Sequence, residues 1–140
     1  MENCIFCKII GRKAPSTIVY EDERSLAFLD HYPINPAHTL VVPKKHYPTM
    51  LEMPPSEVGQ LFVIVAKVAR GVGKASKADG ISIGQSNGVA ASQDVFHMHV
   101  HVIPRFRGDS PDGLAFPERK RMTQEQREKL GVLVRNAICE

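Results

Sequence analysis

His97-Met98-His99-Val100-His101-Val102-Ile103-Pro104-Arg105 is the stretch on which the reading of this chain turns. In a β-strand successive side chains point to opposite faces, so positions 97, 99 and 101 share one face. At roughly 3.3 Å of rise per residue, neighbouring imidazoles on that face lie about 6.6 Å apart. Met98, Val100 and Val102 turn the other way and form an apolar face that can be buried. A helix would scatter the three histidines around its axis with nothing apolar aligned opposite them. The spacing predicts a strand.

Three aligned imidazoles admit three readings. One is a surface strand that happens to be polar. A second is metal, because histidines at alternating strand positions reach a common ion. A third is covalent catalysis, with one imidazole as nucleophile and its neighbours orienting it and handling protons. Spacing alone does not separate metal from catalysis.

At 140 residues the chain has the length of one domain with a proper hydrophobic core. Its composition, 43% hydrophobic and 24% charged, is that of an ordinary soluble protein. No apolar stretch approaches a membrane span, and Met1-Glu2-Asn3-Cys4-Ile5-Phe6-Cys7-Lys8 lacks the layout of a secretory signal, so a cytoplasmic location is expected. A net charge of +3 is too small to argue for nucleic acid and suits an anionic small molecule better. The basic residues of Arg105-Phe106-Arg107 and Glu118-Arg119-Lys120-Arg121 read as solvated surface.

Three cysteines in a reducing compartment argue against a disulfide framework. Cys4 and Cys7 form a Cys-x-x-Cys pair, and Cys139 stands alone. A structural zinc site needs two further ligands, for which His46 and one histidine of the 97–101 run are the candidates. The redox alternative wants a strand before the pair, and only three residues precede Cys4.

Along the chain, 4–10 reads as a short helix, 17–20 and 25–29 as strands joined by a polar turn, and 38–43 as a third strand. Pro54-Pro55-Ser56-Glu57 opens a long helix with Ser56 as its cap, and Val58, Leu61, Phe62, Val65, Val68, Ala69 and Val72 form its buried stripe. A short strand at 81–83 and a loop over 85–93 lead into the histidine strand. Thr123-Gln124-Glu125-Gln126 resembles a capping box that opens a terminal helix with Leu130, Leu133, Val134 and Ile138 on its apolar side. The order predicts an α+β fold: a mostly antiparallel sheet, one long helix and short terminal helices, in a single domain over 1–140.

The run 97–103 matches the pattern His-φ-His-φ-His-φ-φ, with φ apolar, and so resembles the histidine-triad family. Cys4-Ile5-Phe6-Cys7-Lys8-Ile9-Ile10 is similar to the amino-terminal signature of its bacterial and archaeal members. Phe28-Leu29-Asp30, the segment from Pro36 to Lys44, and Gln93-Asp94-Val95-Phe96 fall where members carry similar segments. The resemblance covers about 4–107, leaving 108–140 as an extension. It implies the histidine-triad fold, a homodimer, and hydrolysis or transfer at a phosphate next to a nucleoside, here a purine nucleotide or its conjugate.

Carried over residue by residue, the resemblance makes His99 the nucleophile that forms a nucleotidyl-histidine. His101 and His38 become the imidazoles of the α-phosphate site, with His97 completing the catalytic histidines. Gln93 matches a phosphate-contacting glutamine, and Gln85 or Asn87 a second amide in the preceding loop. Asp30 matches the group that holds the ribose hydroxyls. Phe6, Ile9, Ile18, Phe28 and Leu29 fall where the base pocket forms, although plain core explains them equally. Asp94 replaces a serine that assists the leaving group in the eukaryotic phosphoramidase branch, and an ionised carboxylate accepts hydrogen bonds but donates none. Some microbial members bind structural zinc, which implies Cys4, Cys7, His46 and His97 as ligands and no catalytic metal. The activity implied is release of AMP from a phosphoramidate. Dinucleoside polyphosphate hydrolysis, or a nucleotide-binding module with incidental chemistry, is the alternative.

Overall fold

The unbroken apolar runs Leu26-Ala27-Phe28-Leu29 and Leu40-Val41-Val42 give strands that are buried on both faces, and those strands lie in the middle of one sheet. The computed structural model describes residues 3–112 and 114–140. Its elements are α1 (Ile5–Ile10), β1 (Ile18–Glu21), β2 (Ser25–Leu29), β3 (Thr39–Pro43), α2 (Pro55–Ser76), β4 (Gly80–Gly84), β5 (Val100–Arg105) and α3 (Gln124–Cys139). The sheet is five-stranded and antiparallel in the order β1-β2-β3-β5-β4. This is the expected α+β architecture.

Side-chain parity divides the core in two. Ala27, Leu29, Val41, Met98, Val100 and Val102 face α2 and α3 and pack with Leu61, Val65, Val68, Val72, Val134 and Ile138. Leu26, Phe28, Leu40 and Val42 face the other way, against Phe6 and Ile9 of α1. Met98, Val100 and Val102 are fully buried, as their alternation predicts.

Three local expectations are adjusted. Strand β5 begins only at Val100, so His97, Met98 and His99 enter it along irregular backbone. Helix α2 starts at Pro55, with Pro54 as a cap that makes no side-chain bond, and Ser56 lies inside the first turn. A proline fits there because the first helical N–H has no partner to lose. In α3 Thr123 caps with Gln126 as expected, but Leu133 is exposed and Gly131 takes a buried place beside Val134 and Ile138.

That glycine and Gly71 set how closely α3 docks. A Cβ at Gly71 would lie 2.3 Å from Ile138 Cγ1 and 2.9 Å from its backbone, and one at Gly131 would lie 2.4 Å from Thr17 Cγ2. The extension thereby returns to α2 and β1 instead of trailing from the sheet. Gly71→Ala is expected to destabilise the fold by about 1–3 kcal/mol through overpacking. Gly59→Ala, on the open face of the same helix with nothing within 4 Å, is expected to stabilise it by about 0.5–1 kcal/mol. Urea unfolding midpoints of the two variants provide the comparison, and equal shifts would refute the close-approach account.

Candidate active site and metal centre

The row Phe28, Leu40, His101 and Gly84 crosses four strands in register on the α1 side of the sheet. The same parity puts Asp30 and His38 on that side, where the Asp30 N–H donates to the His38 carbonyl at 2.8 Å. Ala37, just before His38, has φ 77°, a left-handed conformation that is uncommon outside glycine. The tight Asn35–His38 turn, closed by a 2.9 Å bond from His38 N to Asn35 O, requires it. Above the row lies a cavity of about 490 Å³. Its apolar wall comes from Ile5, Phe6, Ile9, Phe28 and Leu40, and its polar end from Asp30, Asp94, His99, His101 and Arg119.

Hydrogen bonds assign the ring nitrogens. His38 Nδ1 accepts from the Ile34 N–H at 3.0 Å, so its proton sits on Nε2. That Nε2 lies 2.9 Å from His101 Nδ1, which must accept, leaving the His101 proton on Nε2. Burial, with the neighbouring imidazoles and Arg119 adding to it, pushes the His38 pKa down to about 2. Burial followed by His99 takes His101 down to about 4. Both rings are therefore neutral near pH 7. His99 is buried, and its Nδ1 lies 2.8 Å from the His97 carbonyl, which accepts only. The proton is fixed there, and Nε2 carries the lone pair 3.6 Å from Asp94 Oδ1.

His97 faces elsewhere. Because the backbone ahead of β5 is irregular, its ring turns from the cavity toward Cys4, Cys7 and His46, so the three histidines do not share one simple face. Its Nε2 donates to the Pro43 carbonyl at 2.8 Å and leaves Nδ1 unprotonated. That Nδ1 lies 3.4 Å from Cys4 Sγ, 3.5 Å from Cys7 Sγ and 3.2 Å from His46 Nδ1, and Cys7 Sγ is 3.4 Å from His46 Nδ1. Four donors on a tetrahedral ion at ordinary Zn–S and Zn–N lengths would be separated by about 3.4 Å for N–N and about 3.6 Å for S–N. The four side chains fit such an ion, and the Pro43 carbonyl orients His97 as an outer partner should. With only protein groups around it, burial followed by Cys4 pushes the Cys7 thiol up to about 11, so a cation is what would hold it as thiolate.

The remaining candidates are placed less simply. Leu29 lies on the α2 side of the sheet, opposite the cavity, because adjacent strand positions alternate; the pocket wall opposite Phe6 is Phe28 and Leu40. Ile18 packs beside that wall without lining the cavity. Gln85 and Asn87 bond each other at 2.6 and 2.9 Å, and Asn87 also accepts from Met50 N. Gln93 is buried and uses its amide on Gly88 N, Pro48 O and Val95 O. All three amides brace the loop in this structure. Arg119 and Tyr32 are cavity residues that the sequence reading did not single out; a basic run in a polar segment carries no signal of where it docks. Arg119 is exposed, as the solvated-surface reading expects, and also lines the cavity.

Residues 11–108 match the HIT domain family model. The chain is 51% identical over 106 residues to a HIT-like protein of Methanocaldococcus jannaschii, covering 76% of this chain and 81% of that one. It is 41% identical over 107 residues to an adenylylsulfatase of Arabidopsis thaliana, covering 76% of this chain and 54% of the relative. A crystal structure of a zinc-bound histidine triad family protein from Mycobacterium smegmatis superposes with a TM-score of 0.86 at 38% identity, over 99% of this chain and 94% of that chain. With its family model matched over most of its length, and His99 and His101 of its triad lining a cavity, this chain belongs to the HIT domain family.

Proposed function

We propose that this protein is a nucleotide hydrolase or nucleotidyl transferase that attacks the α-phosphate of a purine nucleotide conjugate through His99, releasing AMP from phosphoramidates. The observation that carries this reading is the buried His99 ring, with Nδ1 held by the His97 carbonyl and Nε2 left as a nucleophile at the cavity. Attack by that lone pair on phosphorus forms a P–N bond to the imidazole and breaks the bond to the amine, which takes a proton from solvent and leaves neutral. Water then hydrolyses the adduct, giving AMP and the neutral ring and returning a proton to solvent.

The chain from Ile34 N–H through His38 to His101 leaves the His101 Nε2–H as a preset donor to a phosphate oxygen, in a site that needs no reorganisation. The apolar wall of Phe6, Ile9, Phe28 and Leu40 suits a purine base, and Asp30 suits the ribose hydroxyls. Asp94 favours an amine as leaving group. A departing amine offers N–H donors to a carboxylate, whereas phosphate or sulfate oxygens would be repelled. The adenylylsulfatase activity named for the Arabidopsis relative is the reason to test sulfate beside the amidate.

The same reading includes a structural zinc on Cys4, Cys7, His46 and His97, which would tie α1 to the sheet and supply no chemistry to the reaction. It includes a homodimer, for which β4 offers a free edge with Ile83 exposed. Among the described residues no helix is long and apolar enough to cross a membrane.

Three measurements test this. His99→Ala is expected to lower AMP release from adenosine 5′-phosphoramidate by at least about 10⁴-fold, and to lose the adenylyl adduct seen by intact mass after an alkaline quench of wild type. Turnover persisting in the variant would refute the nucleophile, and adenosine 5′-phosphosulfate or diadenosine tetraphosphate turning over faster than the amidate would replace the substrate. Purified protein is expected to carry one zinc per chain by elemental mass spectrometry. Cys7→Ser should lose it and melt about 10 °C or more lower, and unchanged zinc content would sink the site.

The third concerns pH. His38 and His101 have folded pKa values of about 2 and about 4, below the free value of about 6.5. Between those limits the unfolded chain binds protons that the folded chain refuses. Their contribution to stability is full above pH 6.5 and falls as pH drops toward 4, by up to about 1.4 kcal/mol per pH unit for each ring. Urea midpoints of the zinc-loaded protein should decline from pH 7 to pH 5, and His38→Asn should flatten that slope. A slope identical in wild type and variant would refute the neutral pair.

A further inference from the structure

The cavity has a charge problem that its histidines do not solve. A nucleotide brings a 5′-phosphate, yet His38 and His101 are neutral, and the two carboxylates of the lining, Asp30 and Asp94, repel an anion. Arg119 is the one Lys or Arg side chain among the lining residues. It reaches the cavity from the segment after β5, far in sequence from the triad.

The placement is built. The Arg119 guanidinium donates through Nη1 to the Tyr32 carbonyl at 2.7 Å and to Asp30 Oδ2 at 3.3 Å. Lys120 donates from its backbone N–H to Pro33 O at 2.7 Å, and from Nζ to Ile34 O at 2.8 Å and Asn35 Oδ1 at 3.1 Å. Buried Asn35 in turn donates to Asp109 Oδ2 at 3.0 Å, and Asp109 takes a two-pronged ion pair from Arg105 of β5 at 2.8 and 2.9 Å. Arg105 also donates to the Ala115 carbonyl at 3.1 Å and lies 5.0 Å from the Phe116 ring centre, so the segment is pinned on both sides of its crossing. Asp30 Oδ2, which Arg119 touches, is 3.6 Å from His38 Nε2. One carboxylate oxygen therefore separates the guanidinium from the imidazole pair. Its Nε and Nη2 have no hydrogen-bond partner among the described residues, and a guanidinium with one nitrogen anchored and two unspent suits a phosphate.

Resting on the nucleotide reading above, we propose that Arg119 is a substrate-binding residue, pairing through its unspent nitrogens with the anionic 5′-phosphate while Nη1 stays on Asp30 and Tyr32. The segment from 114 to 123 then completes the site, supplying the positive charge that the triad side lacks.

Calorimetric binding of AMP and of adenosine to the full chain, at low and high salt, tests this, because both ligands carry ribose and base while one carries the phosphate. Arg119→Ala is expected to weaken AMP by about tenfold or more, to change adenosine by less than about twofold, and to remove most of the salt dependence of AMP binding. Arg119→Lys keeps a cation and should recover most of the AMP affinity. Equal weakening of both ligands would overturn the proposal, because Arg119 would then act only through Asp30 on the ribose side. No change in either would overturn it as well. Should Arg119→Ala fail to melt like wild type, Arg119→Gln, which keeps donors without charge, carries the same comparison. A wild type that binds both ligands equally would refute the role of Arg119 alone. A wild type that binds neither would refute the nucleotide reading and this proposal with it.

Discussion

The hydrogen bond from His97 Nε2 to the Pro43 carbonyl links the two chemical clusters of this molecule. It fixes the ring of a buried residue just before a strand begins, and it decides which nitrogen carries the proton. From that choice Nδ1 becomes available to Cys4, Cys7 and His46, so the same bond orients a cluster of four side chains that could hold a metal ion. The backbone of the same residue supplies the carbonyl that holds His99 Nδ1. Phe6 of α1 lies edge-on to both rings, with centroids 5.9 Å from His97 and 5.1 Å from His99. A helix of only six residues would not persist unaided. The thiols of Cys4 and Cys7 at His97, together with the packing of Phe6 and Ile9 on the sheet, hold it against the cavity.

The second constraint is burial of imidazole. Taking His38 and His101 out of water makes their charged forms expensive, so neutrality is set by the fold rather than by the medium. A neutral pair can share one proton in a directed bond, and direction follows from a backbone amide. The Ile34 N–H has only one way to point, and it makes each ring along the chain donor or acceptor in turn. Donors preset in this way cost no reorganisation when they meet an anion. The conformational price is visible at Ala37, whose left-handed backbone delivers His38 to its place.

How far the sequence carried the reading depended on which physics each residue obeyed. Period two set His99 and His101 apart from Met98, Val100 and Val102, and the structure agrees, with the two histidines at the cavity beside Phe28 and the other three in the opposite core. The same rule excludes Leu29 from that face, since neighbours 28 and 29 point apart; analogy to a pocket segment hid an alternation that was legible. Strand periodicity does not announce where a strand starts, so the rotation of His97 was not legible in spacing, although the Cys-x-x-Cys pair asked for a histidine partner. Gln85, Asn87 and Gln93 sit in a loop whose bonds are made across 37 and 45 residues, to Met50 and Pro48. No local pattern encodes such pairings. Arg119 is the extreme case, because its position follows from anchors at Arg105, Asp109 and Asn35 that only the folded chain brings together.

Those anchors also bear on how reaction and selectivity are divided along the chain. The span matched by the family model, 11–108, holds His38, His99, His101, Asp30 and Asp94. It excludes both flanks of the cavity: α1, with Ile5, Phe6 and Ile9, and the segment carrying Arg119. His101 lies within β5, and Asp30, His38 and His99 sit at the ends of β2, β3 and β5, so strand register, where a shift of one residue would turn side chains to the wrong face, sets their positions. The flanks obey a looser rule. One is held by side chains gathered around four donors, the other by an ion pair and a few backbone bonds at the surface, and either can change residues without disturbing the ladder. A site assembled this way keeps its chemistry in the part of the fold least able to vary. The α1 part of the cavity's apolar wall and its guanidinium come from the parts that can.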